Sequence, residues 1–309
     1  MELNIIHNAD CLSGLKNIPD NSIDCCITSP PYYAMRDYGV DGQIGLEETP
    51  DEYIARLTEV FEEVRRVLKP AGTLWINIGD TYNRGWNKKE YDVNSPLQQS
   101  HPHIKNVFRH KVEGLKHKDL IGIPWMLAFS LRGKGWYLRQ DIIWNKPNPM
   151  PESVTDRCCR AHEYLFLLTK KQRYYFDFQS IQVKSKKQKK DNVIGGRKHE
   201  SIREDGPMFR SNTKRSYSYG DTARKRSVWT VPVKPEKSAH IAVFPYKLIV
   251  DCIKAGCPED GIVLDPFMGS GTTAVVARKL NRNYIGFELN PKYLNIAKAK
   301  IHNELGIFK

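Results

Sequence analysis

A chain of 309 residues with 40% hydrophobic and 27% charged residues has enough apolar material for a full core, which excludes the disordered and fibrous classes. Its net charge of +13 points to a polyanionic partner. Seven cysteines without a C-x-x-C pair make a poor disulfide framework, the N-terminus lacks the regions of a signal peptide, and no apolar run could span a bilayer, so a soluble, cytoplasmic protein without a membrane partner is expected.

The chain opens with a short strand at Leu3–Ile6 and then Asp10, which suits either a ligand contact or a helix cap. Ile23–Ile27 is a brief apolar run of the kind buried in parallel sheets, and Thr28-Ser29-Pro30-Pro31-Tyr32-Tyr33 ends it. Consecutive prolines lack N–H donors and fix φ, so the chain leaves the sheet as a stiff turn. Such a turn at the carboxyl end of a parallel strand is where open α/β sheets bind ligands. It offers the Ser29 hydroxyl, the Pro30 and Pro31 carbonyls and the Tyr32 ring, a set suited to stacking a planar base and accepting hydrogen bonds from its amine.

Residues 36–46 form a glycine-punctuated loop expected to close over a bound base. Thr49 and Pro50 then start a helix with an apolar stripe at Ile54, Leu57, Phe61, Val64 and Leu68. Lys69-Pro70-Ala71-Gly72 is expected to end it before a strand at Thr73–Ile78, giving a β-loop-α-β unit and hence a parallel sheet. The polar stretch 81–118 reads as a mobile surface loop, since its four histidines match no zinc spacing. Cys158, Cys159 and His162 do not either, so no metal is expected.

A helix through Leu131, a strand at Trp136–Trp144, a stiff Asn145–Pro149 turn and a strand at Glu163–Leu168 follow, the last two strands suggesting an antiparallel edge. Between Lys184 and Arg226, fourteen basic residues face five acidic ones, so nine of the thirteen net charges sit there. Interleaved glycines, serines and aromatics without helical period suit an insertion that contacts phosphates, or a solvated, partly disordered loop, and both can hold because such segments often order on binding. Its candidate contacts are Lys186, Lys187, Lys189, Lys190, Arg197, Arg210, Lys214, Arg215, Arg224, Lys225 and Arg226.

The last block places Pro266-Phe267-Met268-Gly269-Ser270-Gly271-Thr272-Thr273 between a strand ending at Asp265 and a helix, a turn whose glycines let the backbone approach a ligand closely. A second strand ends in Glu288, placed to accept both hydroxyls of a ribose. Three ligands could use this turn. A nucleoside triphosphate lacks its lysine after Gly271; a dinucleotide fits Gly269-x-Gly271-x-x-Ala274; S-adenosylmethionine is favoured by Asp265, which would repel a pyrophosphate but can bond the ammonium of a methionyl group.

Thr28-Ser29-Pro30-Pro31-Tyr32 near one end, Asp265 to Thr273 near the other and a basic insertion between them resemble the β group of amino-methylating DNA methyltransferases, over about residues 4–304. The resemblance implies an α/β, Rossmann-like, mostly parallel seven-stranded sheet with one antiparallel strand and circularly permuted motif order. It implies a catalytic half at 1–178, a basic target-recognition region at 179–235 and a cofactor half of the same domain at 236–309. His240, Phe244 and Pro245 look like the family's third cofactor-contacting motif. Asn145-Lys146-Pro147 and His162-Glu163 look like its flank ahead of the recognition region.

The expected activity is site-specific transfer of a methyl group from S-adenosylmethionine to a flipped-out base of double-stranded DNA. Ser29, Pro30, Pro31 and Tyr32 are the catalytic set; Asp10, His240, Phe244, Pro245, Asp265, Pro266, Phe267, Gly269, Gly271, Thr272 and Glu288 are the cofactor set. Serine at the first motif position is more typical of N4-cytosine than of N6-adenine enzymes, and no Pro-Cys pair supports C5 attack. A nonenzymatic nucleic-acid binder with this fold and, more remotely, an NAD enzyme are the alternatives. A cognate restriction endonuclease and a monomer or homodimer are expected.

Overall fold

The computed structural model describes residues 1–83, 112–185, 221–233 and 244–306. Its strands are β1 (Ile5–Asn8), β2 (Ile23–Thr28), β3 (Leu68–Ile78), β4 (Tyr137–Asn145), β5 (His162–Thr169), β6 (Val183–Lys184), β7 (Thr222–Ala223), β8 (Val228–Thr230), β9 (Ile262–Asp265) and β10 (Asn283–Glu288). Eight of them form the central sheet, in the order β1-β10-β9-β2-β3-β5-β4-β8. All neighbours in it are parallel except β5, which runs antiparallel to both β3 and β4. A mostly parallel sheet with one antiparallel strand therefore holds, with two refinements. The antiparallel strand lies inside the sheet, and an eighth strand, β8, joins its edge from within the stretch assigned to target recognition.

Side chains alternate across the sheet as its pleat requires. Leu74, Ile76, Ile78, Phe166 and Leu168 enter one core, while Trp75, Leu165 and Leu167 enter the other. The first core is covered by α1 (Cys11–Leu15), α2 (Pro50–Val67) and α3 (Ile123–Gly133). The second is covered by α4 (Tyr246–Gly256), α5 (Thr272–Lys279) and α6 (Pro291–Leu305), together with Phe176, Trp229 and Val231.

Helix α2 is the best-specified element. Thr49 Oγ1 accepts from the Glu52 N–H and Glu52 returns a bond to the Thr49 N–H, a full capping box with Pro50 in the first turn. The expected turn at Lys69–Gly72 is absent: β3 begins at Leu68 directly after the helix. Here Lys69 pairs with Asp24 at 2.8 Å, Asp24 also accepts from the Ile262 N–H, and a register shift between β2 and β3 absorbs the irregularity.

The expected loop from 81 to 118 starts and ends on one clasp, where Tyr82 bridges Leu120 and Asn83 exchanges backbone bonds with Lys118 and Asp119; residues 84–111 lie outside the described residues. A second clasp, β6 against β7, joins the ends of the basic stretch, and Ser185 N–H donates to the Asp221 carbonyl at 2.8 Å.

Phe61 lies fully buried where α2 packs on the sheet. Phe61→Ala is expected to lower stability by about 3–5 kcal/mol, read as a lower urea midpoint at unchanged m-value.

Candidate functional site

Strands β9 and β2 are neighbours, yet the chain leaves β9 toward α5 on one face and β2 toward α2 on the other. This is the topological switch point of the sheet, where a crevice must open beyond the strand ends. A cleft of about 850 Å³ lies there. The turn after β2 supplies Ser29, Pro30, Pro31 and Tyr32, and the turn after β9 supplies Pro266, Phe267, Met268, Gly269 and Ser270. Asp10, Phe244, Thr272 and Glu288 complete the part assigned to a cofactor.

The two turns are locked together by a buried carboxylate. Asp265 accepts from Thr28 Oγ1 at 2.7 Å, from Thr273 Oγ1 at 2.6 Å and from the Phe267 N–H at 3.0 Å. Burial raises its pKa to about 6 despite these three bonds. This corrects the expectation that Asp265 bonds a ligand's ammonium. It has no exposed surface, and hydrogen-bond donors already hold both oxygens, so it fixes the cleft walls from behind.

Glu288 faces the cleft as expected of a ribose acceptor. One oxygen takes the Gly269 N–H and the other the Asn290 N–H, each at 2.8 Å. Burial pushes its pKa up to about 7, partly offset by those bonds. Gly271 is not among the cleft-lining residues; it caps α5 at φ +79°, a conformation that favours glycine, and a Cβ there would crowd Ala297 at 3.0 Å. Pro245 is likewise not among the cleft-lining residues; it takes the N-cap position of α4. Asp10 lines the cleft and caps α1 by accepting from the Ser13 N–H at 2.9 Å, so the helix-cap reading is the one the hydrogen bonds show. Thr272 Oγ1 accepts from Lys300 at 3.0 Å.

On the other side, Tyr32 is held by residues that the sequence marked only as flanking. Its hydroxyl donates to Glu163 at 2.7 Å, and Asn77 Nδ2 donates to the same carboxylate at 3.1 Å. Lys146 is ion-paired to the other Glu163 oxygen and lies 4.4 Å over the Trp144 ring. Burial and the adjacent Glu163 charge hold the Tyr32 phenol well above its usual pKa, while a bond from the Ser29 side chain opposes the shift. A chain of contacts thus runs from Ser29 through Tyr32 and Glu163 to Lys146. The nearest sequence signal was the pairing of two short polar motifs on adjacent antiparallel strands.

The 36–46 loop docks on the cofactor side. The Tyr38 ring meets Tyr293 edge-on at 5.8 Å, and the Tyr38 carbonyl accepts from Asn290. Arg36 lines the cleft with a buried Nη1 that has no hydrogen-bond partner, a donor suited to an acceptor on a bound molecule.

His240 and the candidates Lys186, Lys187, Lys189, Lys190, Arg197, Arg210, Lys214 and Arg215 lie outside the described residues. Of the described three, Lys225 is a correction. It is turned inward onto Asp251 and over the Trp229 ring at 4.0 Å, so its charge is neutralised within the protein. Arg224 lies over the Phe178 ring at 5.0 Å, and the Arg226 carbonyl takes the Trp229 indole N–H.

A family model described as DNA methylase matches residues 23–299. The Type II methyltransferase M.Cfr9I of Citrobacter freundii is 44% identical over 98% of this chain and 90% of its own. Two solved structures share the fold. PvuII DNA methyltransferase (cytosine-N4-specific) matches with a TM-score of 0.63 at 18% identity, covering 95% of this chain and 84% of that one. A putative DNA modification methylase from Thermus thermophilus, complexed with S-adenosyl-L-methionine, matches with a TM-score of 0.61 at 22% identity, covering 98% and 95%.

Glu288 keeps its proton in the folded protein up to about pH 7, against an ordinary value of 4.5. The fold therefore binds the extra proton within that window, and this contribution to stability is lost as pH rises through it. Urea melts of the free protein from about pH 4.5 to 8 should show that downward slope. Glu288→Gln should make it shallower, most of all above about pH 6, where the raised Asp265 no longer contributes, whatever the variant's absolute stability.

Proposed function

The chain belongs to the N6/N4 DNA methylase family, and on that premise we propose that it is a site-specific Type II DNA methyltransferase transferring a methyl group from S-adenosylmethionine to the N4 amine of cytosine in duplex DNA. The observation that carries this reading is the meeting of the Ser-Pro-Pro-Tyr turn and the glycine turn in one cleft. The residues fit the cofactor: Glu288 offers carboxylate oxygens to ribose hydroxyls, Gly269 admits close approach, Phe244 and Phe267 give apolar walls, and Arg36 holds an unsatisfied donor. When bound, S-adenosylmethionine supplies an electrophilic methyl on a positive sulfur with a neutral leaving group.

The protein's own contribution is positioning. The amine of a nucleobase is a weak nucleophile because its lone pair is delocalised into the ring. The Ser29 hydroxyl and the Pro30 carbonyl accept its N–H bonds, favouring a more tetrahedral nitrogen whose lone pair is free. No proline N–H competes for that carbonyl. Tyr32 gives a ring to stack the base, and its tether to Glu163 fixes that ring's orientation. The base must leave the duplex to reach this depth. Serine at the first motif position, more typical of N4-cytosine than of N6-adenine enzymes, supports the cytosine reading. The basic stretch around β6 and β7, with Arg224 and Arg226, supplies phosphate contacts, and a cognate restriction endonuclease is the expected counterpart.

The test is to incubate the protein with mixed-sequence duplex DNA and tritiated-methyl cofactor, digest to nucleosides and identify the labelled one by mass. N4-methyl-2′-deoxycytidine is expected. N6-methyl-2′-deoxyadenosine would replace the cytosine reading with its adenine counterpart, and no label in any nucleoside would favour a nonenzymatic binder. Ser29→Ala should lower turnover about 100-fold while calorimetric cofactor affinity stays near wild type.

A further inference from the structure

Met150 is the most exposed large apolar side chain among the described residues, at 80%, and it stands on the rim of the reaction cleft. A single exposed apolar residue ordinarily means nothing. This one differs in how it is held. It sits in Pro147-Asn148-Pro149-Met150-Pro151, where alternating prolines fix φ and keep the preceding residues extended, so the backbone that carries the side chain is stiff and holds it out from the protein.

The base of this rod is anchored. Asn148 donates to the Val233 carbonyl at 2.8 Å and accepts from the Val233 N–H at 2.9 Å, and Lys146 N–H donates to the Ala161 carbonyl at 2.7 Å. Past the apex, Glu152 is tied to Arg157 at 2.7 Å. The fold thus uses rigidity to keep an unbranched, polarisable side chain in water on the rim of the cleft that holds Ser29 and Tyr32. An apolar side chain so placed gains only from a partner with an apolar interior that opens at this spot. A base stack with one base withdrawn has that character, and apolar wedges of this kind enter DNA between base steps.

We infer that Met150 is the wedge that enters the duplex as the target base leaves it and occupies the gap in the stack. This rests on the DNA methyltransferase reading and names a residue for a step that reading requires. Wedging acts only on a base that is still paired, and this separates it from a structural role.

The experiment compares wild type, Met150→Ala and Met150→Leu in single-turnover methyl transfer on a short duplex that the wild type methylates, its target base located by the mass of DNA fragments. A second duplex has the target base opposite an abasic position. Met150→Ala should slow transfer about 10- to 100-fold on the paired duplex and far less on the unpaired one, with Met150→Leu near wild type on both and cofactor affinity unchanged. Equal rates for Met150→Ala and wild type on the paired duplex, or equal losses on both duplexes, would overturn the assignment. A wild type that labels no DNA would instead sink the methyltransferase reading, and the wedge with it.

Discussion

The Asp265 carboxylate is the constraint on which the site depends. Two strands that are neighbours in the sheet, β2 and β9, carry their first residues beyond the hydrogen-bonded ladder in different directions, and nothing in the ladder itself fixes the distance between the two turns. The carboxylate does so by accepting from Thr28, 237 residues away in sequence, on one side and from Thr273 on the other. A buried charge is costly unless its acceptors are filled, and here three donors fill them. The same demand makes the arrangement specific: each hydroxyl has one place to be.

From that lock the division of labour follows. The face with α2 carries the Ser-Pro-Pro-Tyr turn, stiffened by prolines and by the bond from Tyr53 to the Pro31 carbonyl. The face with α5 carries the glycine turn, which Glu288 steadies through the Gly269 N–H. Each turn is braced by its own half of the protein. Tyr38 crosses between them to Tyr293 and Asn290, so the two halves also touch at the cleft's mouth.

Much of this was legible in sequence because it is local. A capping box, proline pairs, a glycine-rich strand-to-helix turn and an acid closing the next strand each signal their own geometry within a few residues. What was not legible depends on tertiary pairing. β8 is three residues long, with Trp229 buried and its neighbours exposed, and only its place beside β4 makes it a strand. Lys225 reads as a phosphate contact within a basic run, and only the approach of α4 brings Asp251 to it. Asp265 reads as a ligand because it stands next to the ligand turn; its burial is a property of the packed sheet. The Lys146–Glu163 pair is invisible until β4 and β5 lie antiparallel with Asn145 opposite His162.

The small β6–β7 clasp bears on how such a protein can diversify. The thirty-five residues between Ser185 and Asp221 leave from and return to adjacent points, so their ends are joined independently of what lies between. Closing a loop whose ends are already held costs little more as it lengthens, about 0.6 kcal/mol per doubling. Evolution can therefore exchange or extend that stretch with almost no penalty to the chemistry. The clasp works as a socket: what it holds can change while the two turns of the cleft stay as they are.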